Sequence, residues 1–136
     1  MARKIYVNVP VKDLTRSIDF YTKVGFSFNQ QFSDENATSI IVSDDILVML
    51  LQEDFFKNFT NKPIANAKES TEVLISISAE SREEVDEMVG LAIAAGGASP
   101  VPTQDHGWMY GRSFEDPDGH IWEVSYLDMS AIPEKA

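Results

Sequence analysis

Short runs of alternating apolar and polar residues dominate this chain, and two longer segments place apolar residues at helical spacing instead. Residues 4–11 carry apolar side chains at every second position, which predicts a β-strand. Residues 14–24 follow at helical spacing, between Asp13, which can cap a helix N-terminus, and Gly25, which can end a helix. Three short β-prone runs come next, at residues 26–33, 38–43 and 46–52. The first half therefore predicts the element order βαβββ.

The same order is predicted in the second half. Residues 71–78 alternate as a strand, with Glu72 and Ser76 on the same face. Ser81 and Glu84 form a capping box for the helix that follows. Three more strands are expected, at residues 98–101, 108–114 and 120–126, with a tight turn at 116–119 between the last two. The predicted fold class is α+β, with two tandem βαβββ modules.

Length and composition favour a single domain. The chain has 136 residues, of which 43% are hydrophobic, enough for one core and too few for two independent domains. Within a domain spanning 1–136 we expect module one at about 3–52, a connector at about 53–70, module two at about 71–128 and a tail at about 129–136. The sequence of the connector predicts a short helix with three phenylalanines on one side, Phe55, Phe56 and Phe59. This helix either packs locally or acts as a lid or partner-facing segment.

Composition excludes several functions. The chain has no cysteine, so disulfides, thiolate catalysis and cysteine-based metal centres are absent. Its net charge is −11, and residues 69–136 hold 3 Lys and Arg against 14 Asp and Glu, while residues 1–68 hold 8 of each kind. Nucleic acid would be repelled, whereas a cationic ligand or metal would be attracted. We expect a cytoplasmic protein without a membrane partner, since neither a signal sequence nor a long apolar run occurs.

Two motifs carry a resemblance to a known family. The first is V-x-D-L-x-R-S-x-x-F-Y at residues 11–21, followed by Gly25-Phe26, and the second is D-P-D-G-x-x-x-E at residues 116–123. With the tandem βαβββ order, they resemble the vicinal oxygen chelate superfamily, which includes glyoxalase I, extradiol dioxygenases, and fosfomycin- and bleomycin-resistance proteins. The resemblance implies an open, cup-shaped mixed sheet around a cavity. It also implies a symmetric homodimer.

In metal-using members, the resemblance implies ligands on the first and last strands of each module, at positions that here carry Tyr6, Met49, Glu72 and Glu123. A phenol and a thioether are poor donors for divalent Ni, Zn, Mn or Fe. A metal would therefore need extra ligands from Asn8, His106 or His120, and of these His120 is expected to be structural. We expect no cofactor.

Two functions are consistent with these positions. The first is metal-independent binding or sequestration of a small organic molecule of cationic or aromatic character, as the resemblance to bleomycin-resistance proteins implies. The second is a glyoxalase-type lyase or isomerase, or a dioxygenase-like enzyme, that uses Glu123 with a divalent metal. Alternatively, Glu123 and Glu72 would form an acid–base pair, because neighbouring carboxylates raise one of their pKa values.

The other candidates for ligand binding are aromatic, polar and thioether side chains: Tyr6, Asn8, Met49, His106, Trp108, Tyr110 and Arg112. Along the strand at 108–114 the alternation separates two sets of side chains, one containing Tyr110 and the other Met109. The sequence leaves open which set faces a ligand.

Overall fold

The alternating runs form strands and the helically spaced runs form helices in a computed structural model that describes residues 3–133. The chain divides between Asn66 and Ala67 into two compact units. Each unit contains one four-stranded mixed sheet and one long helix, in the order βαβββ. The α+β class and the tandem modules are thereby confirmed.

The first unit has the strand order β1-β4-β3-β2, with β1 parallel to β4 and the other pairs antiparallel. Its elements are β1 (Ile5–Val11), α1 (Leu14–Val24), β2 (Ser27–Phe28), β3 (Ala37–Ser43), β4 (Ile46–Gln52), α2 (Glu53–Phe56), and single 3-10 turns at Gln30–Phe32 and Lys57–Phe59. The short helix predicted in the connector is thus present as α2 and the 3-10 turn that follows it.

Helix α1 begins and ends where its capping residues predict. The Asp13 carboxylate accepts a hydrogen bond from the backbone N–H of Arg16, and Gly25 ends the helix with φ at 111°. Glycine adopts this left-handed conformation without the steric cost of a Cβ. The helix buries its apolar stripe, and one face of the sheet is buried with it: Leu14, Phe20, Tyr21 and Val24 from the helix, and Val9, Val11, Ile40, Val48 and Leu50 from the strands.

The second unit repeats this arrangement with the strand order β5-β8-β7-β6. Its elements are β5 (Leu74–Ser78), α3 (Arg82–Ala94), β6 (Gln104–Asp105), β7 (Met109–Glu115) and β8 (Ile121–Leu127). Trp122 and Phe114 are fully buried and stack with ring centroids 6.0 Å apart. Val85 and Val89 of α3 are also fully buried, so the core of this unit lies between α3 and one face of the sheet.

The predicted turn at 116–119 is confirmed, and the side chain of its first residue stabilises it. Asp116 Oδ1 accepts hydrogen bonds from the backbone N–H groups of Asp118 and His120, both at 2.9 Å. Gly119 has φ at 92°, and a Cβ added there would lie 2.8 Å from the backbone nitrogen of Lys68. Only glycine fits between this turn and the segment that precedes β5.

Two strand predictions are wrong in their extent. The strand predicted at 26–33 is limited to β2, because the Asn29 side chain accepts from Gln31 N–H and caps a 3-10 turn. The strand predicted at 98–101 is reduced to a single bridge between Ala98 and Glu115, and the edge strand β6 forms further along the chain. Within residues 3–133, no helix combines the length and apolar character needed to cross a membrane.

Candidate functional site

Glu123 lies on the face of the second sheet that points away from α3, here called the helix-distal face. Ser76 is its neighbour on β5 and Ser113 is opposite it on β7. The Ser76 hydroxyl donates to Glu123 Oε1 at 2.8 Å. Ser125 follows two positions later on the same strand and therefore on the same face. Three serine side chains thus share one face of the sheet with this carboxylate.

A small pocket of about 50 Å³ opens beside Glu123. Gly111 leaves room in its wall, because a Cβ there would lie 3.0 Å from Ser125 Oγ and 3.3 Å from Met109 Sδ. Ser113 is 1% exposed, and its hydroxyl has no hydrogen-bond partner in the part of the chain that the structure describes. A buried hydroxyl left unpaired costs about 1–3 kcal/mol. The pocket is lined by Val101, Pro102, Gln104, Met109, Gly111, Arg112, Ser113, Glu123 and Ser125.

Met49 occupies the position in the first unit that Glu123 occupies in the second. Asn8 lies beside Met49 on β1, and Ser39 lies opposite it on β3. Ser39 is fully buried and, like Ser113, its hydroxyl lacks a hydrogen-bond partner among residues 3–133. The two unpaired hydroxyls therefore stand at equivalent positions, one beside a thioether and the other beside a carboxylate.

The first unit has its own pocket, of about 300 Å³, around Tyr6 at the start of β1. Tyr6 and Phe32 are both 49% exposed. Asn8 is also exposed, and its side-chain amide donates to the backbone carbonyl of Tyr6 at 3.3 Å. Exposed aromatic rings in a concave site suit an organic ligand. The pocket is lined by Lys4, Tyr6, Asn29, Gln31, Phe32, Ile41, Ser43, Asp44 and Leu47.

The internal repeat identifies Leu74 as the counterpart of Tyr6. Tyr6 precedes Asp13, the cap of α1, by as many residues as Leu74 precedes Ser81, the cap of α3. The strand pairing agrees, because each lies two positions before the neighbour of Met49 or Glu123. The first-strand position of the second unit therefore carries an aliphatic side chain, where the sequence had suggested Glu72.

Glu72 instead pairs with His120. Its Oε1 lies 2.7 Å from Nδ1 of His120, whose side chain is 2% exposed, whereas the Glu72 side chain is 23% exposed. His120 is buried directly after the D-P-D-G turn, so this contact joins the start of the second unit to its last strand. Glu72 and Glu123 thus have different partners, and the structure does not bring them together.

Tyr110 and Arg112 lie on the helix-facing side of β7, whereas Met109, Gly111 and Ser113 share the face of Glu123. The Tyr110 hydroxyl donates to Asp86 Oδ1 of α3 at 2.6 Å, and Arg112 Nη1 donates to the same oxygen at 3.1 Å. The Tyr110 hydrogen bond, followed by that of Arg112, lowers the pKa of Asp86, and Asp86 raises the pKa of Tyr110. Arg112 contributes to the wall of the Glu123 pocket, but its guanidinium is directed to α3.

A bidentate ion pair connects α3 to β6, directly before the loop that leads into β7. Arg82 donates two hydrogen bonds of 2.9 Å to the carboxylate of Asp105, and these lower the pKa of Asp105 to about 2. His106, which is exposed, and Trp108 stack with ring centroids 6.2 Å apart. These two rings lie in the loop that Arg82 anchors and are absent from the walls of the Glu123 pocket.

The comparisons with known proteins place this architecture in a family. A model of the Glyoxalase/Bleomycin resistance protein/Dioxygenase superfamily matches residues 5–124. The chain belongs to this superfamily. No curated protein matches the chain in sequence.

Solved structures agree with the assignment. Hypothetical protein SA1046 from S. aureus is 29% identical, with 93% of this chain and 95% of that chain covered and a TM-score of 0.78. A glyoxalase-related enzyme from Fulvimarina pelagi is 17% identical, with 100% and 94% covered and a TM-score of 0.79. A glyoxalase/bleomycin resistance protein/dioxygenase family enzyme from Burkholderia phytofirmans PsJN is 18% identical, with 93% and 99% covered and a TM-score of 0.74. The two latter similarities support the fold alone.

The side chains at the superfamily's metal positions do not fit a divalent transition metal. The first unit offers the phenol of Tyr6 and the thioether of Met49, and the second offers aliphatic Leu74 and the carboxylate of Glu123. Such metals bind several imidazole or carboxylate ligands, and one carboxylate does not make a site. Among residues 3–133, no group of three or more His, Asp and Glu side chains is placed to hold a metal ion.

The serines around Glu123 are the site residues that the sequence did not single out. Ser76 was predicted on its strand, and Ser113 belongs to the alternating set that contains Met109. What the sequence lacked was the register that sets both serines against Glu123. Once Asn8 is known to lie beside Met49 in the first unit, the internal repeat places Ser76 beside Glu123 in the second.

Proposed function

We propose that this superfamily member binds a small organic molecule without a metal, and that Glu123 anchors the ligand. One observation carries the proposal: the carboxylate lies in a pocket beside a buried hydroxyl that has no hydrogen-bond partner among the described residues. A site of this kind gains a hydrogen bond when a ligand enters, which offsets the cost of burying the hydroxyl. Membership of a superfamily that includes resistance proteins supports binding or sequestration as the function.

The wall of the pocket combines apolar and polar side chains. Val101, Pro102 and Met109 supply the apolar part of the wall, while Glu123, Ser113 and Ser125 supply polar atoms. Small-molecule sites commonly combine an apolar wall with a few polar groups that fix orientation. Since the pocket measures only about 50 Å³, it accepts one end of the ligand, and the rest lies outside it.

The proposal is tested by a ligand screen on chelator-treated protein. We expect hits from a library of small organic compounds to shift the backbone amide resonances of Gly111, Ser113 and Ser125, and Glu123→Gln to weaken those hits by about tenfold or more. Met49→Leu is the matched control, because it changes the equivalent position of the first unit without adding or removing charge. Hits that bind Glu123→Gln as well as the wild type would contradict Glu123 as the anchor.

An enzymatic function is the second candidate, and the free oxygen of Glu123 favours it. Ser76 holds Oε1, which leaves Oε2 able to accept a proton from a bound substrate. The acid–base pair with Glu72 has no support in these contacts, because Glu72 is hydrogen-bonded to His120. Isomerisation of a hemithioacetal by chelator-treated protein, lost in Glu123→Gln, would favour this function over simple binding.

We further propose that the protein is a cytoplasmic homodimer. Superfamily membership supports the dimer, and C2 symmetry is the usual form of such assemblies. Light scattering at micromolar concentration should report the mass of two chains. A monomer under those conditions would contradict this assembly.

A further inference from the structure

We propose that the Glu123 pocket binds the primary ammonium group of an amine. This inference rests on the proposed binding function and adds the chemical class of the ligand. It starts from the carboxylate, which has a single hydrogen-bond partner among residues 3–133, the hydroxyl of Ser76. Its second oxygen is left to accept a hydrogen bond from a ligand.

Among the described residues, no basic side chain forms an ion pair with Glu123. The Arg112 guanidinium donates to Asp86 at 3.1 Å, and Arg82 is bound to Asp105 at 2.9 Å. Residues 69–136 carry 3 Lys and Arg against 14 Asp and Glu, so the field around the pocket is negative. An anionic ligand would be repelled, and a cation would supply the charge that the protein does not.

The geometry of the acceptors selects a headgroup with several N–H donors. Ser113 and Glu123 are directly opposed across the β7–β8 pair, which places their Cβ atoms about 5 Å apart. The unpaired Ser113 hydroxyl and the second Glu123 oxygen can both accept from one ammonium group, which has three donors. Ser125 adds a third oxygen on the same face.

The size and composition of the wall exclude other cations. A volume of about 50 Å³ admits an ammonium group and little more. A quaternary ammonium has no N–H donor and is recognised by aromatic faces, yet none of the described residues that line this pocket is aromatic. A guanidinium is planar and larger, and it pairs best with two coplanar carboxylate oxygens, one of which Ser76 already occupies.

The test uses n-butylammonium as the probe, with n-butanol as a neutral compound of the same shape and tetramethylammonium as a cation without donors. Each is titrated into chelator-treated, isotopically labelled protein while the backbone amide resonances of Gly111, Ser113 and Ser125 are followed. We expect saturable millimolar binding of n-butylammonium that weakens with salt, and binding at least about tenfold weaker for the other two probes.

Two variants distinguish the role of each oxygen. Glu123→Gln keeps the shape and should reduce affinity for n-butylammonium by about tenfold or more, and Ser113→Ala should reduce it by about threefold to tenfold. Ser39→Ala, at the equivalent position of the first unit, should leave it unchanged. Unaltered amide spectra away from the pocket verify that each variant is folded.

The outcomes separate this inference from the broader proposal. Equal binding of n-butanol, no saturable binding of n-butylammonium, or full binding by Glu123→Gln would each overturn ammonium recognition. Metal-free hits of other chemistry that need Glu123 would then leave the binding function standing. If the library gives hits independent of Glu123 while n-butylammonium still requires it, the broader account fails and ammonium recognition holds.

Discussion

The two units use the same topology to present opposite chemistry. On their helix-facing sides both have a buried apolar core, with Val48 in the first unit where Trp122 stands in the second. On the helix-distal sides the equivalent positions differ, because Met49 corresponds to Glu123 and Leu51 to Ser125. The fold constrains the side that packs on a helix and leaves the other side free to diverge.

The divergence also changes the pockets. The first unit has a pocket of about 300 Å³ with exposed Tyr6 and Phe32 beside Lys4 and Asp44, and the second has one of about 50 Å³ around Glu123. Ser39 and Ser113 carry hydroxyls without a partner among the described residues, but Ser113 lines the pocket of its unit and Ser39 does not line the pocket around Tyr6. Comparison of equivalent positions in the two units therefore distinguishes residues that the scaffold requires from residues that define a site.

The largest effect is expected on the helix-facing side. Trp122→Ala should lower the free energy of unfolding by about 3–5 kcal/mol, because it removes a fully buried ring stacked on Phe114. Val48→Ala, the equivalent change in the first unit, should cost about 2 kcal/mol, since two buried carbons are lost. Urea unfolding measures both. A cost below about 1 kcal/mol for Trp122→Ala would contradict the assigned core.

The next effect distinguishes two glycines with positive φ. Gly119→Ala should cost more than about 2 kcal/mol, because the new Cβ would meet the Ala67–Lys68 backbone at 2.8–2.9 Å in addition to the strain of φ at 92°. Gly25→Ala is the matched control, with φ at 111° and nothing within 4 Å of the new Cβ, and should cost about 1–2 kcal/mol. Thermal unfolding compares the two. Equal losses of stability would mean that the backbone of the segment before β5 does not restrict the space at residue 119.

A smaller effect compares the unpaired hydroxyls directly. Ser39→Ala and Ser113→Ala should each leave stability unchanged or raise it by about 1 kcal/mol, because an unpaired buried hydroxyl is removed without loss of a hydrogen bond. Urea unfolding of the ligand-free protein measures this. Destabilisation by more than about 1 kcal/mol would indicate that the hydroxyl has a partner, such as an ordered water.

The smallest effect concerns the ion pair at the edge of the second unit. The pKa of Asp105, about 2, should rise in Arg82→Gln, though not fully, because the Gly107 N–H still donates to this carboxylate. Because the folded pKa lies below the unfolded value, the stabilisation is present above the unfolded pKa and is lost as pH falls through about 2. Carboxyl NMR titration measures the shift, and an unchanged pKa would contradict Arg82 as its main cause.

Much of the fold follows from local patterns. The caps at Asp13 and Ser81 and the turn at 116–119 depend on residues that are neighbours in sequence, and all three are found as predicted. The strand containing β2 was predicted too long and β6 was predicted in the wrong place, because two-residue strands carry no periodicity and the Asn29 cap competes with the ladder.

The site was harder to predict than the fold because it depends on register between distant segments. Glu123 was identified from the D-P-D-G-x-x-x-E motif, but its serine neighbours come from β5 and β7. A shift of one residue turns every side chain of a strand to the other face. For the same reason the sequence could not assign Tyr110 to the side of α3, which its contact with Asp86 settles.

The claim that the Glu123 site works without a metal is tested most directly by calorimetric titration of chelator-treated protein with Ni²⁺, Zn²⁺, Mn²⁺ and, without oxygen, Fe²⁺. The account predicts no stoichiometric binding tighter than micromolar, because Tyr6, Met49 and Leu74 supply no strong donor to accompany Glu123. Stoichiometric binding tighter than micromolar that disappears in Glu123→Gln would contradict it.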